Sequence, residues 1–231
     1  MSIDALKKAA AEKAVERVKS DMVLGLGSGS TTRYAVIKIG QLWQAGAITN
    51  IVGIPTSERT AALASEYDIP LGDFNEYPNI DLTIDGADEV DPQLNLIKGL
   101  GGALLREKMI AAATNYFMVV VDGRKLVAKL GAHTPVPVEV VQFGWKAQAR
   151  WLESLGCTPT LRGGESQPFI TDNGNYILDC AFPQGIDNPA GLAITLKARP
   201  GVVEHGLFLG MAHQVIVAEA DGFRSLFAVR Q

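Results

Sequence analysis

Apolar residues recur at helical spacing at Ile3, Leu6, Ala10, Ala14 and Val18, and Ser2 stands just ahead of them as an N-cap. The pattern therefore predicts a first helix. Met22–Leu26 reads as a short buried strand running into glycines, a helix is expected over 31–45, and Ile48–Ile54 reads as a second strand. Thr56 or Ser57 is placed to cap a helix from Glu58 to Glu66. Ile80–Ile84 and Phe117–Val121 are further strands, with a helix over 103–114 between them. Strands alternating with helices of this length predict βαβ units and a parallel sheet.

The texture changes near residue 131. Two prolines in Gly131-Ala-His-Thr-Pro-Val-Pro137 oppose regular structure and mark a boundary or hinge. Beyond it a helix is expected over 144–155, with strands near 158–161 and 168–171. Asn173-Gly174, within 172–175, is a hairpin signal, since a type I′ turn needs positive φ at both central positions. A helix over 189–198 completes a small α+β unit. Gln214–Ala218 and Arg224–Val229 flank a second turn at Asp221-Gly222 and are expected to return to the first sheet.

Composition narrows the class. The 231 residues, 47% hydrophobic and 20% charged, are those of a soluble globular protein of one large or two modest domains. A formal charge of −4 argues against nucleic acid or a membrane surface as the main partner. The opening MSIDALKKAAAEKAVERV lacks the apolar run of a secretory signal, and no run approaches the ~18–20 residues that span a bilayer. Cys157 and Cys180 have neither metal nor redox spacing and are expected as buried free thiols in a reducing cytoplasm. His133, His205 and His213 are scattered, so no metal site is expected.

Three segments carry candidate chemistry. Gly25-Leu-Gly-Ser-Gly-Ser-Thr-Thr32 lies between a strand and a helix, where glycines admit an anion and the helix start offers N–H groups. Ser28, Ser30 and Thr31 add hydroxyls. A P-loop is excluded by the missing lysine; a dinucleotide site fails because Ser30 replaces the third glycine and no acid lies between Asp21 and Glu58. In the second segment Asp85 falls where an apolar strand ends, at the carboxyl edge where α/β sheets bind ligands, and Asp88 follows in the same loop. In the third, Lys98 precedes Gly99, Gly101 and Gly102 and then a helix, an arrangement that gathers an ammonium and backbone N–H groups around a developing negative charge. The inventory suits proton transfer on a small phosphorylated molecule, without naming a sugar.

These segments, GLGSGSTT (25–32), DGADEVD (85–91) and IKGLGGALLREK (97–108), resemble those of the A-type ribose-5-phosphate isomerases, as do VDGRKLV (121–127), PVPVEV (135–140) and TDNGNYILD (171–179). The resemblance implies a Rossmann-like α/β fold with a mostly parallel sheet, formed by 1–130 with 206–231, and a smaller α+β domain inserted at 131–205. It also implies a cytoplasmic homodimer or homotetramer without cofactor or metal, converting ribose 5-phosphate to ribulose 5-phosphate in the pentose phosphate pathway. Carried over by position, Ser28, Gly29, Ser30 and Thr31 bind substrate near its phosphate. Asp85, Gly86, Ala87 and Asp88 line the sugar, and Lys98, Gly99, Leu100 and Gly101 form the next wall. Glu107 matches the catalytic base, Lys125 a substrate-binding lysine, and Lys7 assists at the phosphate. Leu100 stands where the family commonly has glycine, and a positive φ there would strain it.

The expected chemistry is removal of a proton from one carbon by Glu107, an enediolate held by Lys98 and the glycine-turn N–H groups, and ring opening assisted by Asp85. One rival is a sugar-phosphate-sensing effector domain without catalysis. It would carry a DNA-binding segment, for which the residues ahead of the first strand leave no room.

Overall fold

The computed structural model describes residues 2–219 and 222–228. The expected turn residue Asp221 and strand end Val229 lie outside them. The chain begins α1 (Ile3–Val15), β1 (Val23–Leu26), α2 (Thr32–Gln44), β2 (Val52–Pro55), α3 (Glu58–Glu66), β3 (Ile80–Asp85), β4 (Glu89–Val90), β5 (Leu96–Ile97), α4 (Leu104–Ala112) and β6 (Thr114–Asp122). It continues through β7 (Val136–Val140), α5 (Trp145–Glu153), β8 (Thr158–Leu161), β9 (Tyr176–Ala181), α6 (Pro189–Lys197), β10 (Val202–His205), β11 (Leu207–Phe208), β12 (Gln214–Glu219) and β13 (Gly222–Phe227). Two compact units result: Met1–Ala87 with Arg106–Lys125 and Gly210–Gln231, and Asp88–Leu105 with Leu126–Leu209. Residues 88–105, 126–130 and 206–209, expected in the first domain with the rest of 1–130 and 206–231, fall in the second unit, where β4, β5 and β11 pair with one another.

In the first unit a six-stranded sheet runs β13-β12-β6-β3-β1-β2, parallel throughout except for the β12–β13 hairpin. Ala10, Ala14, Ala35, Val36 and Ile39 of α1 and α2 pack with Leu24, Leu82, Met118 and Ile216 of the strands. A second cluster joins Ile54 and Ile80 to Ile110 of α4. Ser2 and Ser57 cap α1 and α3 as expected, accepting the N–H groups of Ala5 and Thr60. Strand β2 starts later than the apolar run from Ile48 suggested, because Asn50 takes a left-handed φ of +53° that breaks extension. From β1 the chain passes to β2 on one side and then to β3 on the other. The carboxyl ends of β1 and β3 thus form the sheet's switch point, where open α/β sheets bind ligands.

The second unit holds a four-stranded antiparallel sheet, β10-β7-β9-β8, and a small sheet β11-β5-β4. Val136, Val138, Val140, Leu152, Leu178 and Leu196 build its core. Strand β7 begins inside the stretch expected as a proline-rich boundary and runs past its end. Pro137 is tolerated because its ring faces Gly206, one residue past β10, where a Cβ would stand 2.7 Å from Pro137 Cδ. Its carbonyl still accepts the Gly206 N–H at 2.7 Å. The strand expected at 168–171 is absent. Pro168 has no N–H to give, and the Phe169 N–H instead closes a loop onto the Arg162 carbonyl at 2.8 Å. A turn forms at 172–174, but only Gly174 takes a positive φ, +78°, and no strand precedes it, so the expected type I′ hairpin is not made. The turn leads into β9, which pairs with β8 and β7.

Glu89, 1% exposed on β4, accepts three backbone N–H groups: Gly131 at 2.6 Å on Oε2, His133 and Thr134 at 2.7 Å on Oε1. The suspected hinge is thereby tied down at three points. Cys157 and Cys180 are buried free thiols. Their mutual hydrogen bond lowers the Cys157 pKa and, with burial, pushes that of Cys180 well up. Among the described residues no helix is long and apolar enough to cross a membrane.

Candidate active site

Register dictates what meets at the switch point. Leu26 pairs with Pro55 and Ile84, so the residues beyond these strand ends are neighbours. Gly27 lies so close to β3 that a Cβ would stand 2.4 Å from Asp85 Oδ1 and 2.5 Å from the Ile84 carbonyl. The Ser28 N–H then donates to Asp85 Oδ1 at 3.1 Å, and the Gly86 N–H donates to the same oxygen at 2.7 Å. Asp85, 1% exposed, is held in a fixed plane by two loops. Gly27→Ala is expected to lower stability by about 1–3 kcal/mol, through forced displacement of β3's end. Urea denaturation and turnover, measured together, should both show the loss.

The Ser28 hydroxyl turns inward, within 2.7 Å of Thr56 Oγ1, 2.6 Å of Ser57 Oγ and 3.0 Å of Thr60 Oγ1. Sequence reading offered it as a ligand donor; its place is in this hydroxyl cluster, which fixes the turn. Thr56, Ser57 and Thr60 were read only as a cap region. The parallel pairing of β1 with β2 was the signal that would have joined them to Ser28. Gly29 adopts φ +133°, and Gly29 and Ser30 are exposed at the start of α2. Lys7 Nζ donates to Ser30 Oγ at 2.8 Å, so α1 delivers an ammonium beside the turn.

Helix α4 places Glu107. Ile110 packs where a Cβ on Gly25 of β1 would stand 2.9 Å from its Cγ2, and Glu107 lies one turn nearer the helix start on the same face. That direction leads to the carboxyl edge of the sheet. Glu107 is 4% exposed, buried although Arg106 and Lys108 flank it on both sides. Arg106 turns away to Glu58 at 2.7 Å. Lys125 ends a short 3-10 helix, Gly123–Lys125, after β6. Just before it, two hydrogen bonds from the Arg124 guanidinium hold the Asp122 carboxyl below its usual pKa, so this pair adds stability above about pH 4 that is lost in stronger acid.

In the second unit Asp88 Oδ2 accepts the Leu100 N–H at 3.0 Å. Lys98 is 2% exposed; its N–H donates to the Gly206 carbonyl at 2.9 Å and its ammonium lies 5.4 Å from the centre of the Phe208 ring. Gly99 and Gly102 take positive φ, +102° and +87°, whereas Leu100 is outside that region. Leucine is therefore unstrained, and it enters the turn's bonding through its backbone groups. Among the described residues no group of three metal-ligating side chains forms.

Fold and side chains define the class: a Rossmann-like α/β protein with a glycine-rich turn and a buried, hydrogen-bonded carboxylate at the sheet's switch point. Comparison narrows it further. Residues 52–222 match the family described as ribose 5-phosphate isomerase A (phosphoriboisomerase A). A ribose-5-phosphate isomerase A of Gloeobacter violaceus is 53% identical over 98% of this chain and 97% of its own. A probable ribose-5-phosphate isomerase 2 of Arabidopsis thaliana is 52% identical over 96% of this chain and 86% of its own. Among solved structures, a D-ribose-5-phosphate isomerase in complex with phospho-erythronic acid superposes with TM-score 0.95 at 45% identity, over 98% of this chain and 100% of that one. The Plasmodium falciparum ribose 5-phosphate isomerase gives 0.94 at 40%, over 97% and 98%. The chain belongs to the ribose 5-phosphate isomerase A family.

Proposed function

We infer that the chain interconverts D-ribose 5-phosphate and D-ribulose 5-phosphate through an enediolate, as an aldose–ketose isomerase of the non-oxidative pentose phosphate pathway. The observation that carries the chemistry is the buried carboxylate of Glu107, on the sheet-facing side of α4. Glu107 takes the proton from C2 of the open-chain aldose and returns it to C1, while a second proton passes between O1 and O2. Lys98, with the Gly101 N–H of the glycine turn, stabilises the oxygen that becomes negative. Asp85 assists ring opening and hydroxyl proton transfer, and Asp88 orients hydroxyls. The Gly29–Thr31 turn, Lys7 and Lys125 bind the phosphate end, which fixes the reacting carbons.

A solved relative holds phospho-erythronic acid. Its carboxylate presents two oxygens in one plane, as an enediolate does, which supports this reading. The wider reading, a cytoplasmic homodimer or homotetramer, rests on the family resemblance. Purified protein given ribose 5-phosphate with EDTA and no added cofactor is expected to form ketose, with turnover on the order of 1–10³ s⁻¹. No ketose under these conditions overturns the assignment.

A further inference from the structure

Arg162 follows β8 and points its guanidinium at the glycine turn. Its Nη1 donates to the carbonyls of both Gly99 and Leu100 at 3.1 Å. The other edge of the group forks onto Asp179 of β9, Nε to Oδ2 at 2.9 Å and Nη2 to Oδ1. Both side chains are largely buried, 14% and 21% exposed. Phe169 covers them, its ring 5.7 Å from the guanidinium carbon and so near Gly102 that a Cβ there would stand 2.5 Å away. Five donors in a rigid plane suit this task; an ammonium could not bind a carboxylate side-on and two carbonyls at once.

The consequence lies in the geometry of the peptide unit. The chain has no cis bond among its described residues, and in a trans peptide the C=O and N–H point in opposite directions. With the Gly99 and Leu100 carbonyls drawn to Arg162, the N–H groups of Leu100 and Gly101 are both turned away from it. That of Leu100 reaches Asp88. At Gly101 there is room, since a Cβ meets nothing within 4 Å. We propose that Arg162, anchored by Asp179, is a positioning residue that locks these two peptide planes so that the Leu100 N–H holds Asp88 while the Gly101 N–H faces the substrate oxygen, both preorganised. The proposal rests on the role given above to the 98–101 turn. Arg162 touches no reacting atom; it removes the freedom of the turn to flip its peptides.

Arg162→Ala is expected to lower kcat about 100-fold with little change in KM, the size of effect that misplaced donors produce. Free guanidinium at millimolar concentration should restore part of the loss, which a merely structural defect would not allow. Asp179→Asn, which keeps the arginine and loosens it, should fall between. Leu100→Pro, lacking the N–H altogether, tests the turn itself. If kcat of Arg162→Ala stays within about threefold of the parent while Leu100→Pro falls, the turn matters and the proposal for Arg162 is wrong. If both keep full kcat, the role of the turn is wrong as well. A loss in Arg162→Ala that guanidinium leaves untouched also overturns the proposal. Should that variant not fold, Arg162→Lys and Asp179→Asn decide: parental kcat in both, as folded proteins, refutes it.

Discussion

Glu107→Gln lowers kcat by about 10²–10⁴-fold and leaves KM nearly unchanged, because it removes a proton acceptor and no part of the phosphate cradle. Glutamine keeps the size of the side chain, so Leu104 and Ile110 of α4 retain their packing, and circular dichroism should match the parent. The acidic limb of the kcat/KM profile, which reports the free base, is expected to vanish with the carboxylate. Retention of more than about a tenth of kcat would take Glu107 out of the role.

The second large effect is expected at Lys98. Methionine there preserves the unbranched stem but removes the ammonium that lies 5.4 Å from the centre of the Phe208 ring. A drop of about 10²–10³-fold in kcat follows if the ammonium stabilises the enediolate. The change also takes a buried, partnered charge from its neighbours, so stability is followed separately. Thermal melting separates the two effects: a lower melting temperature with modest loss of kcat would make Lys98 a structural residue.

Sequence exposed whatever depends on local periodicity. The strand–helix alternation of the first unit was legible because Leu24, Ile80 and Phe117 sit in short, mostly apolar runs bounded by glycine, aspartate or asparagine. Asp85 was legible too, as the polar residue that ends such a run. Contacts between distant segments were not. Ser28 and Thr60 share a hydroxyl cluster only because two strands lie in parallel register. Arg162 and Gly99 stand 63 positions apart and meet only in the folded second unit. Glu107 alone reads as surface charge in R-E-K; its burial follows from which face of α4 meets the sheet. At Pro137 the usual rule against proline in a central strand misled, because the neighbouring strand ends one residue early.

The grip of Glu89 on residues 131, 133 and 134 bears on how this chain can be rebuilt. By composition the Gly131–Pro137 stretch invites a graft, a tag or new termini. An insertion there would pull three amides from a carboxylate that has no water to turn to, at about 1.5–3 kcal/mol for each bond to a charged group. Residues 164–166, exposed and remote from that carboxylate in the hydrogen-bond pattern, offer the second unit a safer place to cut. The two loops differ little in residue type; what sets them apart is the holder of their amides.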